Sequence, residues 1–126
     1  MKVKHILYYF IVTVLLSCGD NTDKFTNREK FEMKNLVNAV SPDNLKKFDI
    51  NEEYTNKTYT QTSGIMKWEQ GGGSVLYFTG QGKNISARWL DSQTLEIAHD
   101  KDIVFSMKHE SIYFKGDDVK IIYRPL

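Results

Sequence analysis

From about residue 57 onward, apolar residues recur at every second position in short runs. Ile85, Ala87 and Trp89 alternate in this way, as do Leu95 and Ile97; Ile103, Phe105 and Met107; Ile112 and Phe114; and Val119, Ile121 and Tyr123. A period of two places one set of side chains on each face of an extended strand, whereas a helix would repeat at 3.6. The β-forming run 58–68 and the run 75–79 precede them. Breakers separate the runs: Gln70-Gly71-Gly72-Gly73, Gly80-Gln81-Gly82, Asp91-Ser92-Gln93, His99-Asp100-Lys101-Asp102, Lys108-His109-Glu110 and Lys115-Gly116-Asp117-Asp118. Turn signals at intervals of roughly eight to twelve residues predict a mainly β domain over 49–126. The expected form is a small antiparallel meander of about seven strands, closing into a sandwich or a partly open barrel. No gap is long enough for a crossover helix, so βαβ units are excluded.

Upstream, the pattern changes. Thr26-Asn27-Arg28-Glu29 fits a capping box, and Met33, Leu36, Val37 and Val40 follow at i, i+3, i+4 and i+7. That spacing predicts one amphipathic helix over 27–40, ended by Ser41-Pro42, within a helical segment 26–48. Several strands carry apolar residues on both faces: Tyr77 opposes Phe78, and Ile122 opposes Ile121. Such a second face is either covered, with the helix as one candidate cover, or it is an exposed patch open to a partner.

The first eighteen residues differ in kind from the rest. Lys2 and Lys4 precede an uncharged apolar run of 11 residues, 6–16, and the chain then turns abruptly polar. This is the order of an export signal, and the run is short of the ~20 residues that cross a bilayer as a helix. Leu15-Leu16-Ser17-Cys18 contains the only cysteine. These residues resemble the lipobox of bacterial lipoproteins, with Leu16 a less usual occupant of its position. The resemblance covers residues 1–18. It implies a signal peptide over 1–17 cut between Ser17 and Cys18, with diacylglyceryl and acyl (palmitate-type) chains on Cys18. Residues 18–25 would then be the lipidated Cys and a polar tether. Two or more acyl chains anchor stably where one does not, so the membrane would be held through Cys18 alone. Gly19 after Cys18 points to the outer membrane rather than the inner one, on a periplasmic or surface face. Separately, Ala87–Ile97 resembles a strand–turn–strand unit of small bacterial envelope proteins of unknown function, a likeness that supports the β-meander and carries no activity.

Little in the remaining sequence points to catalysis. A single cysteine forms neither an internal disulfide nor a cysteine-based zinc site. His99 lies beside Asp100 and Asp102, and His109 beside Glu110, but in consecutive turns, which a meander sends to opposite edges. The glycine runs lack the strand, full motif and helix of a phosphate loop, and no Gly-x-Ser-x-Gly elbow occurs. No catalytic set, metal site or cofactor is therefore expected. A formal net charge of +1 leaves no basic footprint for nucleic acid. Trp68, Tyr77, Tyr113 and Ile122 are the candidate binding surface, with strand packing as their alternative role. The expected function is that of a lipid-anchored, non-catalytic binding or accessory module of the cell envelope. Its partner would be an envelope protein, with capture of a toxin or enzyme one possibility. A small hydrolase using the turn histidines and a purely structural envelope component are the alternatives.

Overall fold

The computed structural model describes residues 29–126; the expected signal peptide, Cys18 and its tether lie outside them. Nine strands build the domain: β1 (Phe31–Val40), β2 (Lys46–Thr55), β3 (Thr58–Trp68), β4 (Gly71–Phe78), β5 (Ile85–Asp91), β6 (Thr94–His99), β7 (Phe105–Lys108), β8 (Ser111–Phe114) and β9 (Asp117–Pro125). One sheet has the order β1-β2-β3-β4-β7 and the other the order β5-β6-β9-β8. The two sheets enclose one apolar core without closing into a barrel. Phe48, Ile50, Met66, Leu76 and Phe78 come from the first sheet, and Leu95, Ile97, Val119 and Ile121 from the second.

Two expectations are corrected. Residues 31–40 form strand β1, not a helix, and 41–45 form a turn rather than a further helical segment. The cause lies in a bulge. β1 pairs with β2 from Phe31 opposite Thr55 to Val40 opposite Lys47, and the register shifts between Asn35 and Val37. An inserted residue moves the side-chain alternation by one, so Met33, Leu36, Val37 and Val40 imitate helical spacing while lying on an extended chain. The β domain accordingly starts near residue 31 rather than 49.

The second correction concerns topology. Seven strands follow residue 57, but they do not form a simple meander. β6 and β9 are parallel, with Leu95 opposite Ile121 and Ile97 opposite Tyr123. After β6 the chain crosses to the first sheet as β7, and then switches back at His109-Glu110 to become β8. At that switch the His109 N–H donates to the Val75 carbonyl, and the Ile121 N–H donates to the Glu110 carbonyl. β7 and β8 therefore act as one strand shared by both sheets. The crossover needs no helix because a strand performs it.

Gly71-Gly72-Gly73 does not make a turn of positive φ, as a breaker would suggest, but opens β4. A Cβ on Gly71 would stand 2.7 Å from the Phe114 ring, and one on Gly72 only 2.2 Å from the Met66 carbonyl oxygen. Glycine at 71 lets the Phe114 ring of β8 lie directly on the β4 backbone, and glycine at 72 lets β4 approach the β3 backbone. On the opposite side, the Trp89 indole N–H donates to the Ala39 carbonyl at 2.9 Å, seating β5 against the far half of β1.

Candidate functional site

The hairpin turns 41–45, 69–70, 92–93 and 115–116 lie at one end of the sandwich, called the turn end below. The loops that cross between sheets, 79–84 and 100–104, lie at the other, the crossover end. Two open clefts of about 360 and 300 Å³ adjoin at the turn end. Both are lined by Asn44, Leu45, Trp68 and Glu69; one adds Val40, Lys47 and Lys67, the other Phe114, Lys115 and Asp117. Leu45 is 63% exposed between them, held out by a turn in which Asn44 adopts a φ of 59°. Asparagine tolerates that left-handed conformation better than most residues.

Beneath the clefts lies a buried cation. The Lys46 side chain is fully enclosed, and its Nζ is 3.0 Å from Asp43 Oδ2, 2.9 Å from Asp117 Oδ2 and 3.4 Å from Gln93 Oε1. An ammonium has three protons to give, so these acceptors satisfy it. The Trp89 ring covers it at 5.6 Å. The Asp117 carboxylate also accepts from the Trp68 indole at 2.8 Å and from Gln93 Nε2. β2, β3, the β5–β6 turn and β9 thus meet on one charge pair, which ties the sheets together.

The electrostatics follow from those bonds. The Ser41 hydroxyl, the Leu45 N–H and Lys46 hold the Asp43 carboxyl down at about 2, against 3.8 normally. Burial pushes the Asp117 carboxyl up, but the bonds from Trp68, Gln93 and Lys46 outweigh it and leave the group more acidic than usual. A lysine this fully paired is poorly placed to act as a base or nucleophile, and it serves to fix Trp68. The Trp68 ring stacks on Phe114, with centroids 5.1 Å apart and planes 19° apart. Tethered by its N–H and backed by Phe114, the indole is a rigid wall for the clefts.

Of the four residues expected to form a binding surface, only Trp68 lines these clefts. Tyr77, half-buried on the outer side of the first sheet, exchanges a hydrogen bond with the Ser74 hydroxyl at 2.6 Å. Tyr113 is 68% exposed on the second sheet opposite Asp118, and Ile122 lies opposite Glu96 on the outer side of that sheet. The fold does not gather the four into one patch. Leu45 and Asn44 are not among the sequence candidates, because they fall within the helical segment expected over 26–48. The Pro-Asp-Asn run was the signal that marked a turn instead.

The crossover end is built from different materials. Glu52 is buried with no cation paired to it among the described residues: its carboxylate accepts from the Tyr54 hydroxyl at 2.9 Å and from the Gly82 N–H at 2.8 Å. The Tyr59 hydroxyl accepts from the Gly80 N–H and pairs with Thr62. These bonds hold the 79–84 loop against the sheet. Nearby, the His99 imidazole is buried edge-on to Phe105, with centroids 5.0 Å apart, and its Nδ1 lies 2.9 Å from the Asp100 carbonyl oxygen. Tyr123 packs between the two histidine segments, its ring 6.3 Å from that of His99 and its hydroxyl donating to the His109 carbonyl. His99 is thus an aromatic-core residue, while His109 is exposed at the strand switch. Among the described residues, no group of three or more His, Cys, Asp or Glu side chains is disposed to hold a metal ion.

The chain matches no protein-family model, no curated protein and no solved structure.

Proposed function

We propose that this protein is a lipid-anchored module of the cell envelope that binds a partner protein at the turn end without catalysis. The observation that carries the binding reading is the pair of adjoining clefts: an exposed Leu45 beside a Trp68 wall that is already rigid before any partner arrives. Pre-ordered aromatic surface loses little entropy on binding, and exposed apolar side chains at its rim gain from being covered. Lys47, Lys67 and Lys115 around the clefts suit acidic neighbours on that partner.

The anchoring reading rests on Leu15-Leu16-Ser17-Cys18. It gives the binding site a direction. Twelve residues, 19–30, separate Cys18 from β1, which starts at the crossover end. Ten residues of strand rise roughly 33 Å at about 3.3 Å each, so a chain entering from a membrane carries the clefts to the far end. A partner in the periplasm or outside the cell would meet that end first.

Two experiments test the two halves separately. Cys18→Ser releases the protein from the membrane fraction; retention of the variant there counts against the anchor. A photo-crosslinking residue placed at Leu45 in the full chain gives a discrete adduct with an envelope protein, and the same residue at Tyr113 does not. Equal or absent labelling at both positions rejects the clefts as the binding site.

A further inference from the structure

β1 is an edge strand, paired with β2 on one side and carrying no strand on the other among the described residues. The Asn56 N–H donates to the Lys30 carbonyl at 2.8 Å, which fixes the hydrogen-bonding phase at the start of the strand. In an antiparallel pair, inward and outward backbone groups alternate. Lys30, Glu32 and Lys34 therefore turn their backbone groups toward β2, while Phe31, Met33 and Asn35 offer theirs to the open edge. The bulge after Asn35 ends this regular stretch. Past it, the indole of Trp89 holds β5 against Ala39, so the accessible template is confined to residues 31–35.

Exposed edges are commonly blunted by short length, proline, a bulge or charged side chains, and here a bulge and the charges Glu32 and Lys34 limit pairing to a short stretch. That stretch is regular, contains no proline and displays Phe31 and Met33, 55% and 51% exposed, on one face. Its charges favour one occupant. When two copies of the strand pair antiparallel about Met33, Met33 meets Met33, Phe31 meets Asn35, and Glu32 meets Lys34 twice by symmetry. That register also pairs outward backbone groups with outward ones, giving about six hydrogen bonds. Sliding two residues in total one way sets Glu32 against Glu32, and sliding the other way sets Lys34 against Lys34. Like charges directly opposite are destabilising, whereas opposite charges and apolar pairs stabilise a ladder.

We propose that β1 is a homodimerisation edge: two copies join Phe31–Asn35 antiparallel about a twofold axis at Met33, making one continuous ten-stranded sheet. The interface is isologous, as a closed dimer requires. It lies at the crossover end and leaves the clefts of both copies open. The inference does not depend on the anchor or on the clefts, although confinement to a surface would raise the effective concentration of the two edges.

The test uses the full chain in membranes and in detergent. Met33→Cys forms a disulfide-linked dimer on mild oxidation, because directly opposed residues of a ladder lie within disulfide range. Tyr113→Cys, more exposed than Met33 but on the other sheet, sets the background. Glu32→Lys and Lys34→Glu each weaken dimerisation by about tenfold, measured by sedimentation, because each sets like charges opposite one another. The double exchange Glu32→Lys with Lys34→Glu restores it. All of these side chains are exposed, so the variants fold. The proposal is overturned by Met33→Cys linking no better than Tyr113→Cys, by failure of the double exchange to rescue, or by a Met33→Cys adduct to a different protein or to residues 18–28 of the same chain.

Discussion

The two ends of this sandwich solve the same problem with opposite chemistry. At the turn end, the sheets are joined by a buried ammonium shared between Asp43 and Asp117, with the clefts above it. At the crossover end, they are joined by rings: Phe78, Phe105, Tyr123 and His99 in successive edge-to-face contacts, with Lys108 over Phe105 and Tyr123. Ion pairs are directional and fix single side chains in place, which suits a rigid wall such as Trp68. Aromatic edges are tolerant of direction and exclude water, which suits the plug of a core. The proposed binding surface lies at the end where geometry is pinned.

The contrast predicts unequal responses to substitution. Lys46→Met leaves Asp43 and Asp117 facing one another without a cation and costs about 3 kcal/mol or more, read from urea denaturation at neutral pH. Adding Asp117→Asn to that variant recovers part of the loss, which simple loss of packing would not allow. Phe105→Ala, at the other end, costs about 2–3 kcal/mol through lost contact with Phe78, His99 and Tyr123, and no second polar change rescues it. If both ends respond alike to the second substitution, the distinction fails.

Acid and alkali sharpen it further. Asp43 is more acidic in the folded protein than in the unfolded chain, so its contribution is complete above about pH 4 and is lost as pH falls from there toward about 2. Asp43→Asn should flatten the fall in melting temperature over that window. Tyr123 shifts the other way: burial, and then the Glu110 charge, raise its phenol above the ordinary value of 10.0. Its contribution is complete below pH 10 and declines as pH rises beyond it, and Tyr123→Phe removes that decline. The smallest effect belongs to neither end. Tyr113→Ser, on the outer side of the second sheet, changes stability by less than about 0.5 kcal/mol.

The strands after residue 57 were legible because apolar residues recur at alternate positions, even where a second face is apolar too, and turn residues separate the runs. β1 was not, because the bulge at Leu36 disguised its period. β2 hid for another reason: Lys46 and Glu52 occupy inward positions beside Phe48 and Ile50, and their charges broke the apolar run. Asp43 and Tyr54 close by in the sequence satisfy them in part, but Asp117 and Gly82 complete the set, and pairings across tens of residues leave no local trace. The same applies to the parallel register of β6 and β9. At the clefts, Trp68 was identified as a candidate, while Phe114, which stacks on it from 46 positions later, could be placed only by the fold.

A strand held in common by two layers has a mechanical consequence. β7 gives its ladder to β4 and β8 gives its ladder to β9, with two residues between them, so neither layer can peel away without dragging the other. The domain should open as a single cooperative unit, its slowest-exchanging amides in β4 and β9 released at one common free energy. Such coupling leaves no soft half for a protease to find.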